Sequence, residues 1–175
     1  MNKINTIGKY DVYKLNKKTA IAHAKTIARL ADSIPLVNYT EKKILAESKL
    51  SRIFHGKWEH SLVVFDQDKP IAVIIGYERE KENNDQYPQN SIYISELAVD
   101  ENYQRQGLAR ELVKMFLDFN KSFLHIDGDL QFSIQTNSAD WNQHVINLYK
   151  SFGFKQIAAK KYDNRTDVVL KLKPN

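Results

Sequence analysis

The chain has 175 residues, 42% of them hydrophobic and 27% charged, with six glycines and four prolines; this fits one folded domain spanning residues 1–175 and excludes disordered and fibrous classes. It has no cysteine, which removes disulfides, thiol nucleophiles and thiolate zinc sites and agrees with a reducing, cytoplasmic setting. The net charge of +5 comes with lysine pairs scattered along the chain, at Lys17-Lys18, Lys42-Lys43 and Lys160-Lys161, which reads as a solvated basic surface and not as a nucleic-acid footprint.

No apolar stretch approaches the roughly 18 residues of a membrane helix, and MNKINTIGKYDVYKL has no signal-peptide core. Period-2 and period-3.6 segments alternate, the pattern of a mixed α/β domain. A strand is expected over Tyr10–Leu15, then a helix over Lys18–Ala31 with Ile21, Ala24, Ile27 and Ala28 on its apolar face. Pro35 separates it from a second helix after Thr40, which with Lys43 makes a cap. Ser61–Phe65 and Ile71–Tyr77 read as a hairpin turning at Asp66–Pro70, followed by a polar loop from Lys81 to Asn90. A strand over Ile92–Val99 leads into a long helix from near Gly107 to Phe119, striped by Leu108, Leu112, Met115, Phe116 and Phe119. A strand over Leu130–Gln135 follows, then a helix from Trp141 to Phe152 with Val145, Leu148, Tyr149 and Phe152 on one face, stopped by Gly153. Two strands close the chain, Lys155–Lys161 and Asp167–Lys173, joined at Asp163-Asn164-Arg165.

The most specific stretch is ISELAVDENYQRQGLARELV, Ile94 to Val113. A strand turns through a Gly-containing loop into a helix, whose first N–H groups lack partners and whose dipole end is positive. Gly107 lets a backbone approach a ligand, and Arg105 and Arg110 can neutralise phosphates. A single glycine at a helix start is by itself a weak signal that more often marks an ordinary turn.

Spacing adds to this. Gln104-Arg105-Gln106-Gly107-Leu108-Ala109 resembles the Arg/Gln-x-x-Gly-x-Gly/Ala signature of the GNAT superfamily of acyl-CoA N-acyltransferases, following a strand that ends Leu97-Ala98-Val99. Asn142, Leu148-Tyr149 and Gly153-Phe154 look like the family's second segment. The resemblance covers roughly residues 8 to 173 and implies the GNAT fold: a mostly antiparallel sheet of about six or seven strands flanked by about four helices. It implies acetyl-CoA as co-substrate, no metal, and transfer of the acetyl group to a primary amine by direct attack on the thioester. The amides of Gln104, Arg105, Gln106, Gly107, Leu108, Ala109 and Arg110 would wrap the CoA diphosphate. The backbone of Leu97, Ala98 and Val99 would pair with the pantetheine arm where the central strand parts from its neighbour, and one of those amides would polarise the thioester carbonyl. Asn142 would contact the arm.

An alkylammonium must lose a proton before attack. Glu96 is the first choice of base, because an acid before Leu-Ala-Val resembles the aminoglycoside 3-N-acetyltransferase branch; other branches put the base at positions that here hold Ser95 or Tyr93. The family supplies the thiolate's proton from the tyrosine matching Tyr149, and a phenol stays protonated at neutral pH. His55 and His60 lack a third ligand, so satisfied or surface histidines are expected and not a metal site.

The acceptor should lie between the region of Ile34 to Thr40 and the loop Lys81–Asn90, where Glu41, Glu78, Glu80, Glu82 and Asp85 could draw a small cationic amine or aminoglycoside. A protein N-terminus or lysine is the nearest alternative, and a CoA-binding sensor without turnover the alternative of another class. Many relatives form dimers, often through the closing strands, and the β-forming residues here permit a homodimer.

Overall fold

The computed structural model describes residues 2–32, 34, 40–47, 56–79, 91–121 and 131–173. Apolar runs set its plan. Leu62, Val63, Val64 and Phe65 are all buried, as is every residue from Ile71 to Ile75; strands covered on both faces need no polar alternation. Those faces carry two cores. One, built around Leu62, Val64, Ile74, Ile92 and Phe132, packs under two later helices, and the other, built around Val63, Phe65, Val73 and Ile75, packs under three earlier ones.

The elements are β1 (Asn2–Ile7), β2 (Tyr10–Lys14), α1 (Lys17–Ala22), α2 (Ala24–Asp32), α3 (Glu41–Glu47), β3 (Leu62–Asp66), β4 (Lys69–Arg79), β5 (Ser91–Val99), α4 (Leu108–Lys121), β6 (Gln131–Asn137), α5 (Gln143–Ser151), β7 (Lys155–Tyr162) and β8 (Arg165–Leu172). One sheet orders them β1-β2-β3-β4-β5-β6-β8-β7. Every pair is antiparallel except β5 with β6, which are joined by the α4 crossover that a parallel pair requires. The mixed α/β architecture expected from the sequence is therefore present, with eight strands and five α-helices among the described residues in place of six or seven and four.

The extra strand is β1. Its sequence NKINTI is polar, and all but Ile7 is exposed. Backbone pairing to β2 forms it, so no hydrophobic period announces it. The helix expected over Lys18–Ala31 is two helices that break at His23, whose backbone N–H bonds back to Ile21 and Thr19 carbonyls while its ring stacks edge-on at 5.3 Å from Phe65. That break leaves Ile21 44% exposed, whereas Ala24, Ile27 and Ala28 are buried as expected. Asn16 caps α1 through Thr19 N, and Thr40 Oγ1 accepts from Lys43 N at 3.2 Å, completing the expected cap of α3. The β3–β4 turn is shorter than expected, pairing Asp66 with Lys69 around a left-handed Gln67. On α5 the buried positions are Ile146 and Tyr149; Val145, Leu148 and Phe152 are partly buried.

One irregularity positions the site. Ile75 pairs with Glu96 and Gly76 with Ile94, so Ser95 is an extra residue in β5, a β-bulge. Ile92 and Ile94 face the α4–α5 core, yet Ala98 faces the α1–α3 core and Leu97 and Val99 the other. The bulge thus shifts the alternation by one and turns Glu96 toward the α1–α3 layer. Gly76 stands opposite, where a Cβ would come within 2.5 Å of the Phe116 ring; only glycine lets α4 seat that close.

Candidate active site

β5 and β6 pair from Ser91↔Gln131 to Ile94↔Ile134 and no further. Beyond that point β5 continues with β4 as far as Val99, and β6 with β8 as far as Asn137. The strands part there and open a cleft of about 1230 Å³, walled by Ser95–Val99 on one side and Ile134–Asn137 on the other, with the start of α4 and one face of α5 at its ends. Along Leu97, Ala98 and Val99 the edge facing β6 has no ladder, the free main-chain edge the sequence reading required; the Val99 carbonyl accepts from Gln104 Nε2 at 3.1 Å.

The loop before α4 lies at one end of this cleft. Among the described residues, no carbonyl or side chain accepts from the amides of Arg105 to Arg110; the first amide to bond back is that of Glu111, to Gly107 O at 3.1 Å. The side chains of Gln104 and Gln106 reach the carbonyls of Val99 and Asn102, leaving the amides from Arg105 onward open; the Gln104 amide, expected in the same row, instead donates to Glu101 O at 3.4 Å and closes the preceding turn. Gly107 has φ +81 and would place a Cβ in open space, and Arg105 is also left-handed at φ +59. Such a row of unpaired N–H groups at a helix start is an anion cradle. Arg105, Gly107, Leu108, Ala109 and Arg110 line the cleft, and the Arg110 guanidinium sits 5.6 Å over the Phe152 ring.

Asp100 anchors this loop. Its side chain is 1% exposed; Oδ2 pairs with Arg29 at 3.0 Å and Lys69 at 3.2 Å, and Oδ1 accepts from Asn102 N. Burial alone would raise its pKa, but the Arg29, Asn102 and Lys69 contacts win and hold it down at about 2. Tyr103 donates to Asp66 at 2.9 Å and stacks edge-on with Tyr10, whose hydroxyl donates to Gln106. Sequence reading missed this brace; an Asp beginning Asp-Glu-Asn after a strand is a turn signal, but its basic partners are distant in sequence.

Glu96 lines the cleft from β5. Burial pushes its carboxyl up to about 7, against the pull of the Lys57 and Lys43 ammonium groups. Lys57 is itself 4% exposed and bound to Glu47 at 2.6 Å, and burial lowers its pKa despite that partner. Tyr149 enters from α5, fully buried, its hydroxyl without a hydrogen-bond partner. Burial first, then the charges of Tyr93 and Glu96, raises its pKa well above the ordinary phenol range, so it holds its proton. Asn142 precedes α5 and is 4% exposed; Nδ2 donates to Thr136 Oγ1 at 2.7 Å and Asn137 O at 2.6 Å, so its donors are spent and only Oδ1 remains for a ligand N–H. The expected site residues Glu96, Leu97, Ala98, Val99, Gln104, Arg105, Gly107, Leu108, Ala109, Arg110, Asn142 and Tyr149 thus share one cleft; Gln106 stands beside it, turned toward Tyr10.

Of the acids expected to draw the acceptor, only Glu41 and Glu78 fall among the described residues. Glu41 is exposed at the start of α3 and Glu78 is bound to His60 at 2.8 Å; neither lines the cleft, while Glu80, Glu82, Asp85 and the loop Lys81–Asn90 lie outside the described residues, as does His55. His60 is a satisfied core histidine, held by Asn120 at 2.7 Å and Glu78. Among the described residues no group of three or more His, Asp or Glu could hold a metal. The cleft adds residues the sequence reading did not single out, among them Gln135, Trp141, His144, Arg165 and Asp167.

Residues 25–154 match the sequence profile described as the acetyltransferase (GNAT) family. Among solved structures, the NatC complex bound to Gag peptide and CoA aligns over 95% of this chain and 99% of that one, with TM-score 0.71 and 21% identity. The ribosomal-protein-S18-alanine N-acetyltransferase from Escherichia coli aligns over 94% and 93%, with TM-score 0.64 and 20% identity. The Salmonella typhimurium protein yncA with its cofactor acetyl-CoA aligns over 94% and 93%, with TM-score 0.66 and 16% identity. No curated protein matches the chain closely enough to count as a relative. Identities this low speak for the fold.

Proposed function

The chain belongs to the GNAT acetyltransferase family, and from that premise we propose that it acts as one domain that takes the acetyl group of acetyl-CoA and places it on a primary amine by direct attack on the thioester. The observation that carries this reading is the run of unpaired amides from Arg105 to Arg110, opening on the same cleft as Glu96 and Tyr149. Those amides suit the cofactor's diphosphate, and the free edge of Leu97 to Val99 suits its amide-bearing arm and the thioester carbonyl. Glu96, with its pKa near neutrality, takes a proton from the incoming ammonium, directly or through water. The nitrogen attacks the carbonyl carbon, the C–S bond breaks, the Tyr149 hydroxyl protonates the departing thiolate, and the second proton shed by the attacking nitrogen passes through water to restore the phenol.

The acid before Leu-Ala-Val speaks for a small cationic acceptor of the aminoglycoside kind. Two observations favour instead the α-amine of a polypeptide: the described members of the acidic cluster stand away from the cleft, and two of the aligned structures are, by name, a NatC complex bound to a peptide and an alanine N-acetyltransferase. A thiol-release screen of acetyl-CoA against aminoglycosides, polyamines and short peptides, with Glu96→Gln and Tyr149→Phe controls, tests both. Tight acetyl-CoA binding without CoA release from any amine would establish a sensor in place of an enzyme.

A further inference from the structure

Three buried side-chain atoms among the described residues lack a hydrogen-bond partner: Gln131 Oε1, Tyr149 Oη and Asp167 Oδ1. The last two belong to residues that line the cleft. A buried polar atom left unpaired is costly, and in a binding site its partner comes with the ligand. Tyr149 has such a partner in the leaving thiolate; Asp167 has no role in the transfer step.

Asp167 is 5% exposed. Its Oδ2 accepts from Gln135 Nε2 at 2.7 Å, and the same amide nitrogen donates to Tyr162 Oη at 3.0 Å, so one oxygen is pinned. Arg165 Nε lies 3.4 Å from Oδ1, near enough to offset the charge without the alignment of a hydrogen bond, and its guanidinium rests 4.9 Å over the Tyr162 ring. The cleft therefore presents an acceptor, Asp167 Oδ1, beside a donor-rich cation that is 36% exposed. Register places this pair: Asp167 pairs with Asn137 of β6, three residues past the last β5–β6 rung, while Glu96 is two past it on β5. Two paired-strand spacings would put about 10 Å between their backbones, and the parting of β5 from β6 widens that distance, so the pair meets a group several bonds from the reacting nitrogen.

We propose that Asp167 and Arg165 form an acceptor subsite for a secondary amide, Asp167 Oδ1 taking its N–H and Arg165 donating to its C=O, so that the enzyme selects extended amide-bearing amines, the first residues of a polypeptide. A second ammonium suits the site poorly, because the guanidinium beside Asp167 repels it. Oδ1 is shielded from solvent in the structure, and Arg165, with one face still exposed, is the neighbour that swings to admit the amide. The inference rests on the transferase reading above.

The experiment compares acetyl-CoA turnover with a tripeptide amide, the depsipeptide whose backbone N–H groups are replaced by ester oxygens, n-butylamine and spermidine. In the unaltered protein the tripeptide should exceed the depsipeptide in kcat/KM by about tenfold or more. Asp167→Ala should raise KM for the tripeptide about tenfold, erase the peptide–depsipeptide difference, and leave butylamine turnover and the KM for acetyl-CoA unchanged. The substrate comparison needs no variant to fold. Equal rates for tripeptide and depsipeptide, or a preference for spermidine, overturn the subsite while leaving the transferase intact. Failure to release CoA with any of the four overturns both.

Discussion

Glu96 and Tyr149 reach one cleft from different layers, the carboxylate on a strand rephased by a bulge and the phenol on a helix of the opposite core, close enough that the charge of Glu96 helps raise the tyrosine's pKa. A proton acceptor poised near neutrality thus faces a donor that never ionises at working pH. The two roles follow from environment: Glu96 has the Lys57 and Lys43 cations to keep its rise moderate, and Tyr149 has none.

With a weakly basic amine that stays unprotonated throughout, Glu96 instead takes the proton that the attacking nitrogen sheds, so kcat/KM should still fall on the acid side of about pH 7, where the carboxyl already holds a proton. Glu96→Gln should abolish that limb and slow the reaction by about 10² to 10⁴. Stability moves the other way. The folded state binds this proton more tightly than the unfolded chain, at about 7 against 4.5, so folding stability declines as pH rises across that window. At pH 8, Glu96→Gln should be more stable than the unaltered protein by about 2 kcal/mol, allowing for partial exposure. Denaturant titrations at pH 4 and pH 8 check the sign.

Tyr149→Phe should separate stability from activity. Removing an unpartnered buried hydroxyl relieves about 1 kcal/mol of desolvation, so Tm should hold or rise. Loss of the proton for the thiolate should lower kcat by about 10- to 10³-fold. A variant that loses stability and activity in proportion would make Tyr149 a packing residue only.

Asp100→Asn should weaken acetyl-CoA binding by about tenfold, because the brace from Arg29 and Lys69 through Asp100 sets the loop bearing the free amides. The native carboxyl, at about 2 against 3.8, contributes stability that is complete above about pH 4 and lost as pH falls through 2. That contribution is about 2 kcal/mol. Isothermal titration with acetyl-CoA and acid unfolding measure the two effects; unchanged affinity would show that the loop orders itself.

Gly76→Ala drives a methyl to within 2.5 Å of the Phe116 ring and should destabilise by about 1–3 kcal/mol. Phe116→Leu in the same chain should restore part of that loss, a coupling a double-mutant cycle would quantify. Additivity of the two would mean the backbone yields instead of the ring.

The strands β3, β4 and β5 and the helices α4 and α5 were legible because burial on one or two faces writes itself as a run or a stripe. β1 was not, since pairing holds it with little side-chain burial, and His23 breaks a pattern that otherwise reads as one helix. At the site, Glu96, Tyr149 and the Gln104–Arg110 loop were singled out by the family resemblance, whose motifs are local in sequence, and they lie at one cleft. Asp167, Arg165 and Gln135 were not: they meet across β6 and β8, and their spacing in sequence means nothing until the sheet is assembled. The same holds for Asp100, whose partners Arg29 and Lys69 come from α2 and β4.

Among the described residues four rungs, Ser91–Ile94 against Gln131–Ile134, join the five strands on one side of the cleft to the three on the other. An arm laid along the vacant edge would lengthen that seam, so occupancy and folding become thermodynamically linked quantities: saturating acetyl-CoA at a hundred times its Kd adds about 2.7 kcal/mol to the folded state. The amides of Leu97 and Val99, which face the vacant edge because Asp100 N and hence Ala98 N turn toward β4, would then exchange slowly with solvent in the loaded protein and fast in the empty one.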